Sequence, residues 1–231
     1  TTTLVSASVG LMALWATLIY RREKVIVRGA WLAVALLVAQ IALGAFVVVY
    51  ELPPALVGVH LGNALLILAT LLAISLSAYR PWEGAPAQSD PALLRLILLS
   101  AAAVFALIFS GTVVTGLNAM AACLGWPLCN GDLLPQTGPQ AVNLFHRTFA
   151  AGVGILLLAV TVRTVRTHKT IASLRKAAHV ALGLFGVQVL VGALAVLSTF
   201  HPAFNALHLA AAAAVWGGMV ALAVVAWRTL R

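Results

Sequence analysis

Imidazole is an unusual side chain inside an apolar run, and this 231-residue chain has three such histidines, His60, His146 and His208. His60 comes a few residues after a loop ending at Pro54, His208 a few residues after one ending at Pro202, and His146 near the start of its own run. Polar groups at such depth are costly and usually functional. The runs of His146 and His208 are expected to cross a bundle in the same direction, so the two rings can face each other at one depth, as two axial ligands of a haem require. For a lone histidine the competing reading stays open: an imidazole that bonds a carbonyl or sits among headgroups. The recurrence of His60 as His208 weighs against it. Arg147, beside His146, is a candidate for a haem propionate, a bidentate match to an anion, or for a lipid headgroup.

These residues must be positioned by elements that lipid dictates. Hydrophobic residues make up 63% of the chain and charged residues 8%, more apolar surface than a water-soluble domain of this size could hide in one core. Seven runs approach the roughly 20 apolar residues that a spanning helix needs: Leu4 to Tyr20, Ala30 to Tyr50, Ala55 to Tyr79, Leu93 to Leu117, Val142 to Val165, Lys176 to Ser198 and Phe204 to Trp227. Backbone groups in hydrocarbon find no water, and the runs lack the alternation of a barrel, so the expected fold is all-α: a polytopic membrane bundle of seven transmembrane helices. The first run has no basic segment ahead of it and reads as a span, not a cleavable signal.

The formal charge of +9 resides in loops. Arg21, Arg22, Lys24 and Arg28 follow the first span, Arg80 and Arg95 flank the third connection, Arg163, Arg166, Lys169, Arg175 and Lys176 mark the fifth, and Arg228 and Arg231 end the chain. The alternate loops, Glu51 to Pro54, Asn118 to Gln140 and Thr199 to Pro202, hold no Lys or Arg. This pattern excludes nucleic acid as a partner and, by the positive-inside rule, puts the C-terminus in the cytoplasm and the start of the chain outside, in a cell membrane. Cys123 and Cys129 then lie in an outer loop where a disulfide is expected to form. A metal pair and two free thiols are the alternatives. Trp126 and Pro127 between them either pack on a ligand or sit at the interface.

An offset of 148 superposes Gln40 on Gln188, Gly44 on Gly192, Ala45 on Ala193, Pro54 on Pro202 and His60 on His208. An offset of 144 aligns Ala7, Val9 and Gly10 with Ala151, Val153 and Gly154. Spans one to three thus repeat as five to seven in the same orientation, a tandem parallel repeat of four-helix units with the opening helix of the first unit absent. The expected organisation is a first repeat unit at 1–79, a cytoplasmic linker at 80–92 and a complete second unit at 93–231. The start at Thr1, on an apolar run and without Met, is that expected of a fragment.

His168 and His179, among basic residues, read as solvated loop or interface residues, and His201 as a solvated loop residue beside Pro202, with approach to a haem edge as the other reading. Gln40 and Gln188 are expected to hydrogen-bond between helices, with contact to a porphyrin as the other reading. Gly44 and Gly192 let neighbours approach closely. No nucleophile elbow, HExxH pair, Walker loop or dinucleotide fingerprint occurs.

Taken together, GTVVTG at 111–116, CLGWPLCNG at 123–131, the His146-Arg147 pair and the repeated QxxxGA followed by a histidine resemble the haem A synthase family. The resemblance covers most of the chain. It implies two four-helix units, a haem b held by His146 and His208, a first unit that receives haem O, and oxidation of a haem O methyl to the formyl of haem A. It also implies a first-unit His-Arg at or before Thr2 and Thr3 and a glutamate ahead of residue 1, so only His60 matches the substrate-unit histidines and is the catalytic candidate. The implied partners are haem, the lipid bilayer, an unidentified electron donor, and haem O synthase or a terminal oxidase assembly. The alternatives are a non-catalytic membrane cytochrome b or degenerate haem-binding subunit, and a haem-free structural subunit.

Overall fold

The computed structural model describes residues 2–79 and 89–231; Thr1, Arg80 and the 80–88 part of the expected linker lie outside the described residues. The described chain forms seven α-helices and no strand: α1 (Thr2–Ile19), α2 (Lys24–Val49), α3 (Pro54–Ala78), α4 (Pro91–Gly116), α5 (Gly138–Thr167), α6 (Ala172–Leu197) and α7 (Pro202–Thr229). Helices α2 to α7 are long and apolar enough to cross a membrane, while α1, apolar over Thr3–Ile19, is shorter. The protein is an integral membrane helical bundle.

Several helices run past the apolar stretches. Helix α2 starts at Lys24, ahead of Ala30, because charged side chains end hydrophobicity without ending helicity. Its 26 residues extend ~39 Å at 1.5 Å per residue, beyond a hydrocarbon layer about 30 Å thick. The starts are chemically marked. Pro54, Pro91 and Pro202 stand at the first turn, where a missing N–H costs nothing. The side chains of Asp90, Thr137 and His201 accept from the backbone N–H of Leu93, Gln140 and Ala203. His201 is therefore a helix cap as well as a loop residue.

The turns joining α2 to α3 and α6 to α7 share one backbone design. Glu51 and Leu52 both have positive φ, and so do Thr199 and Phe200, 148 residues later. Leu52 N–H donates to Val47 O at 2.8 Å, and Phe200 N–H to Ala195 O at 2.7 Å.

The chain divides into two compact units, residues 1–84 and 85–231. In the first, α2 packs between α1 and α3. Its core is small: Ala13, Ala16 and Ala30 are buried with Ile26, and a Cβ on Gly29 would come within 2.9 Å of Ile74. Small residues of this kind let helices touch where lipid removes the hydrophobic drive to associate. In the second unit α4 packs on α5 and α7, and α6 packs on the same two. The four helices close a ring that puts α5 and α7 at opposite corners.

One end of that ring is tied by Asp90. Its backbone N–H donates to Leu230 O at 3.1 Å. Its carboxylate faces Arg163 Nη2 at 3.0 Å and His168 Nε2 at 3.2 Å, so the start of α4 is joined to the ends of α5 and α7. This corrects the reading of His168 as a solvated residue: only 5% of it is exposed. Partial burial opposes ionisation of Asp90, but the Leu93 N–H, His168 and Arg163 outweigh it and hold the carboxyl below its ordinary value of 3.8. A carboxyl depressed on folding stabilises above its unfolded pKa and loses that contribution as pH falls through the folded one. Asp90→Ala is expected to cost about 1–2 kcal/mol at pH 7 through the cap alone. The deficit, read by denaturant unfolding in detergent, should shrink below about pH 4; a deficit independent of pH would count against the ionised cap.

Candidate functional site

The two repeated glutamine-to-histidine segments build the same object. Gln40 and Gly44 are four residues apart and share one face of α2. Gln40 Nε2 lies 3.0 Å from Nε2 of His60 on α3, and a Cβ on Gly44 would sit 3.3 Å from His60 Cε1. In the second unit Gln188 Nε2 lies 3.3 Å from Nε2 of His208, and a Cβ on Gly192 would meet His208 Cε1 at 2.9 Å. The glutamine thus gives each imidazole a polar partner and the glycine gives it room against the helix backbone. Three buried atoms in these seats have no hydrogen-bond partner: Nδ1 of His60, Nδ1 of His208 and Oε1 of Gln188.

His146 is seated differently. Helix α4 offers Ser110 and Gly111, and a Cβ on Gly111 would come within 3.4 Å of His146 Cε1. Ser110 Oγ lies 2.7 Å from His146 Nδ1 and 2.7 Å from Leu107 O. A carbonyl only accepts, so with both contacts made the single hydroxyl hydrogen goes to Leu107, and His146 Nδ1–H must donate to Ser110. That tautomer leaves a bare lone pair on Nε2. His146 lies on α5 and His208 on α7, the opposite corners of the ring.

The residue after His146 faces the loop. Arg147 Nη2 donates to Cys123 O at 2.8 Å, and Nη1 donates to Gly125 O, to Pro127 O at 3.2 Å and to Leu128 O at 3.1 Å. Its Nε donates to Asn143 Oδ1 at 2.8 Å, and Asn143 Nδ2 donates to Ala119 O at 3.0 Å. Cys123 and Cys129 form a disulfide and are both buried. The guanidinium is therefore the post around which the disulfide loop is wound, which leaves little donor capacity for the propionate or headgroup that the sequence suggested. Trp126, inside the loop, is 44% exposed.

A family model described as cytochrome oxidase assembly protein matches residues 1–220. A haem A synthase of Symbiobacterium thermophilum is 31% identical over 225 residues, 92% of this chain and 73% of that protein. The chain belongs to the haem A synthase family. A haem A synthase of Halalkalibacterium halodurans is 33% identical over 180 residues, 74% of this chain and 58% of that protein. A protoheme IX farnesyltransferase 1 of Natronomonas pharaonis is 37% identical over 125 residues, 54% of this chain and 26% of that protein.

In this member of the haem A synthase family, His168, His179 and His201 stay apart from the seats: His168 meets Asp90, His179 Nδ1 faces Arg175 O at 2.8 Å, and His201 caps α7. Among the described residues no group of three or more His, Cys, Asp or Glu could hold a metal ion. Ser110, Asn143 and Asn63, which touches Gln40, were not singled out from the sequence. Each is one of several polar residues in its apolar run, and no spacing marks it. Removing the post should loosen the loop. Arg147→Ala is expected to remove about 1.5–3 kcal/mol of local stability, seen as a roughly ten- to hundredfold faster amide exchange over residues 123–131. Arg147→Lys should recover little, since an ammonium cannot span four carbonyls. Unchanged exchange in Arg147→Ala would remove the loop role.

Proposed function

We propose that this chain binds haem and acts in haem A biosynthesis, with His146 and His208 as the axial ligands of a haem b and His60 facing a haem O substrate. The observation that carries the reading is the pair of imidazoles on opposite corners of one helix ring, each laid against a glycine. The buried unpartnered Gln188 Oε1 and His208 Nδ1 also mark a seat whose polar groups are incompletely used by the protein alone. When bound, haem b would supply electron transfer for oxidation of a haem O methyl to the formyl of haem A, a reaction that also needs an electron acceptor and an oxygen source from outside the chain. The chain's own residues prepare that site. Ser110 keeps the His146 proton on Nδ1 and so presents Nε2 to iron, the tautomer control that second-sphere partners exert on metal-bound histidines. Arg147 fixes the disulfide loop at the turn of α5 that bears His146.

The same reading takes residues 1–79 and 93–231 as two copies of one unit, supported by the matching turns and matching Gln-His seats. It places the C-terminus in the cytoplasm, because Arg228, Arg231 and the basic loops share one side. The second reading, a membrane cytochrome b, uses His146 and His208 for electron transfer alone.

Pyridine haemochrome spectra of the purified chain test both. Haem b is expected in wild type and in His179→Ala, and is expected to be lost in His146→Ala and in His208→Ala. Ser110→Ala should weaken haem affinity by about 10- to 100-fold. Haem-free wild type would sink both readings. Conversion of added haem O to haem A would decide for the enzyme over the cytochrome.

A further inference from the structure

The two Gln-His seats differ at a residue that bonds the glutamine. Asn63, one turn after His60 on α3, donates from Nδ2 to Leu36 O at 2.9 Å and to Gln40 Oε1 at 2.7 Å. The position 148 residues later is Ala211. In the first unit this fixes every proton in turn. Leu36 O can only accept, so the Asn63 NH2 must face it; that NH2 can only donate, so Gln40 must offer Oε1 and turn its own NH2 to His60; Nε2 of His60 must then be the bare, accepting nitrogen. In the second unit no group pins the Gln188 oxygen: Oε1 is buried without a partner, and the amide's contact with His208 is longer, 3.3 Å against 3.0 Å.

We infer that Asn63 is a positioning residue that makes His60 a displaceable haem ligand, by locking the Gln40 amide onto the nitrogen that would bind iron, whereas His208 has a yielding glutamine and holds its haem durably. The inference rests on the proposed function and deepens it. Haem bound at His60 must replace the Gln40 hydrogen bond and leave a pinned amide N–H without its acceptor, a penalty the unpinned Gln188 avoids by turning. A unit that admits a substrate haem and releases a product haem requires weak retention. A unit that keeps a cofactor requires the opposite.

The test loads the purified full chain with ferric haem b and follows its transfer to excess apomyoglobin. Two phases are expected, the fast one absent in His60→Ala and the slow one absent in His208→Ala. Asn63→Ala should slow the fast phase about tenfold, the worth of one hydrogen bond, and Ala211→Asn should accelerate the slow phase. In the haem-free protein, 15N shifts should show His60 protonated at Nδ1, and a mixture of tautomers in Asn63→Ala. A His60-dependent phase that Asn63→Ala leaves unchanged or accelerates overturns the inference alone. A transfer curve that His60→Ala does not alter overturns the haem reading of the first unit and the inference with it.

Discussion

An imidazole in hydrocarbon needs a hydrogen-bond partner and a place to lie, and a helix can supply both from residues one turn apart on one face. Gln40 with Gly44, and Gln188 with Gly192, meet that constraint. The pairing of α2 with α3 and of α6 with α7 follows from it, because the histidine of one helix must enter the seat of the other. The turns obey the same demand. A sharp reversal through two residues with positive φ at 51–52 and 199–200 returns the chain so that a histidine a few residues later comes level with a glutamine of the preceding helix.

That regularity explains why much of the site was legible. A glutamine and a glycine four apart, followed after 16 residues by a histidine, form a spacing that survives in the sequence because helix geometry fixes it. The helices were legible for a similar reason: the bilayer imposes a length, and apolar composition records it. Their ends were less so, since Lys24 or Arg163 can lie inside a helix while lying outside the hydrocarbon. Residues acting through backbone carbonyls left no pattern at all. Arg147 was read through its charge, toward an anion, yet four of its acceptors are carbonyls of a loop whose path no spacing encodes. His168 was read through its basic neighbours, yet its partner Asp90 is 78 residues away in sequence.

The two ends of the second unit are fixed by different means suited to their surroundings. At one end a carboxylate, a guanidinium and an imidazole join three helix termini through Asp90. At the other a guanidinium meets neutral carbonyls and the closure is covalent, Cys123 to Cys129. The first joins α4 to the ends of α5 and α7, and the second ties the connection between α4 and α5 to the turn of α5 that bears His146.

Repetition with a changed contact residue is a route by which one scaffold gains two behaviours. The Gln-His contact is common to both units, so it cannot itself distinguish them. What distinguishes them is whether the glutamine is free to turn, and that depends on a residue that never touches the histidine: Asn63 in one unit, Ala211 in the other. An alanine there costs the second seat a satisfied amide oxygen, seen as the buried, unpartnered Gln188 Oε1. Such a loss is tolerable where a bound group restrains the glutamine most of the time. It would be a poor arrangement in a seat that spends long periods without one, and there the asparagine keeps both ends of the Gln40 amide paired.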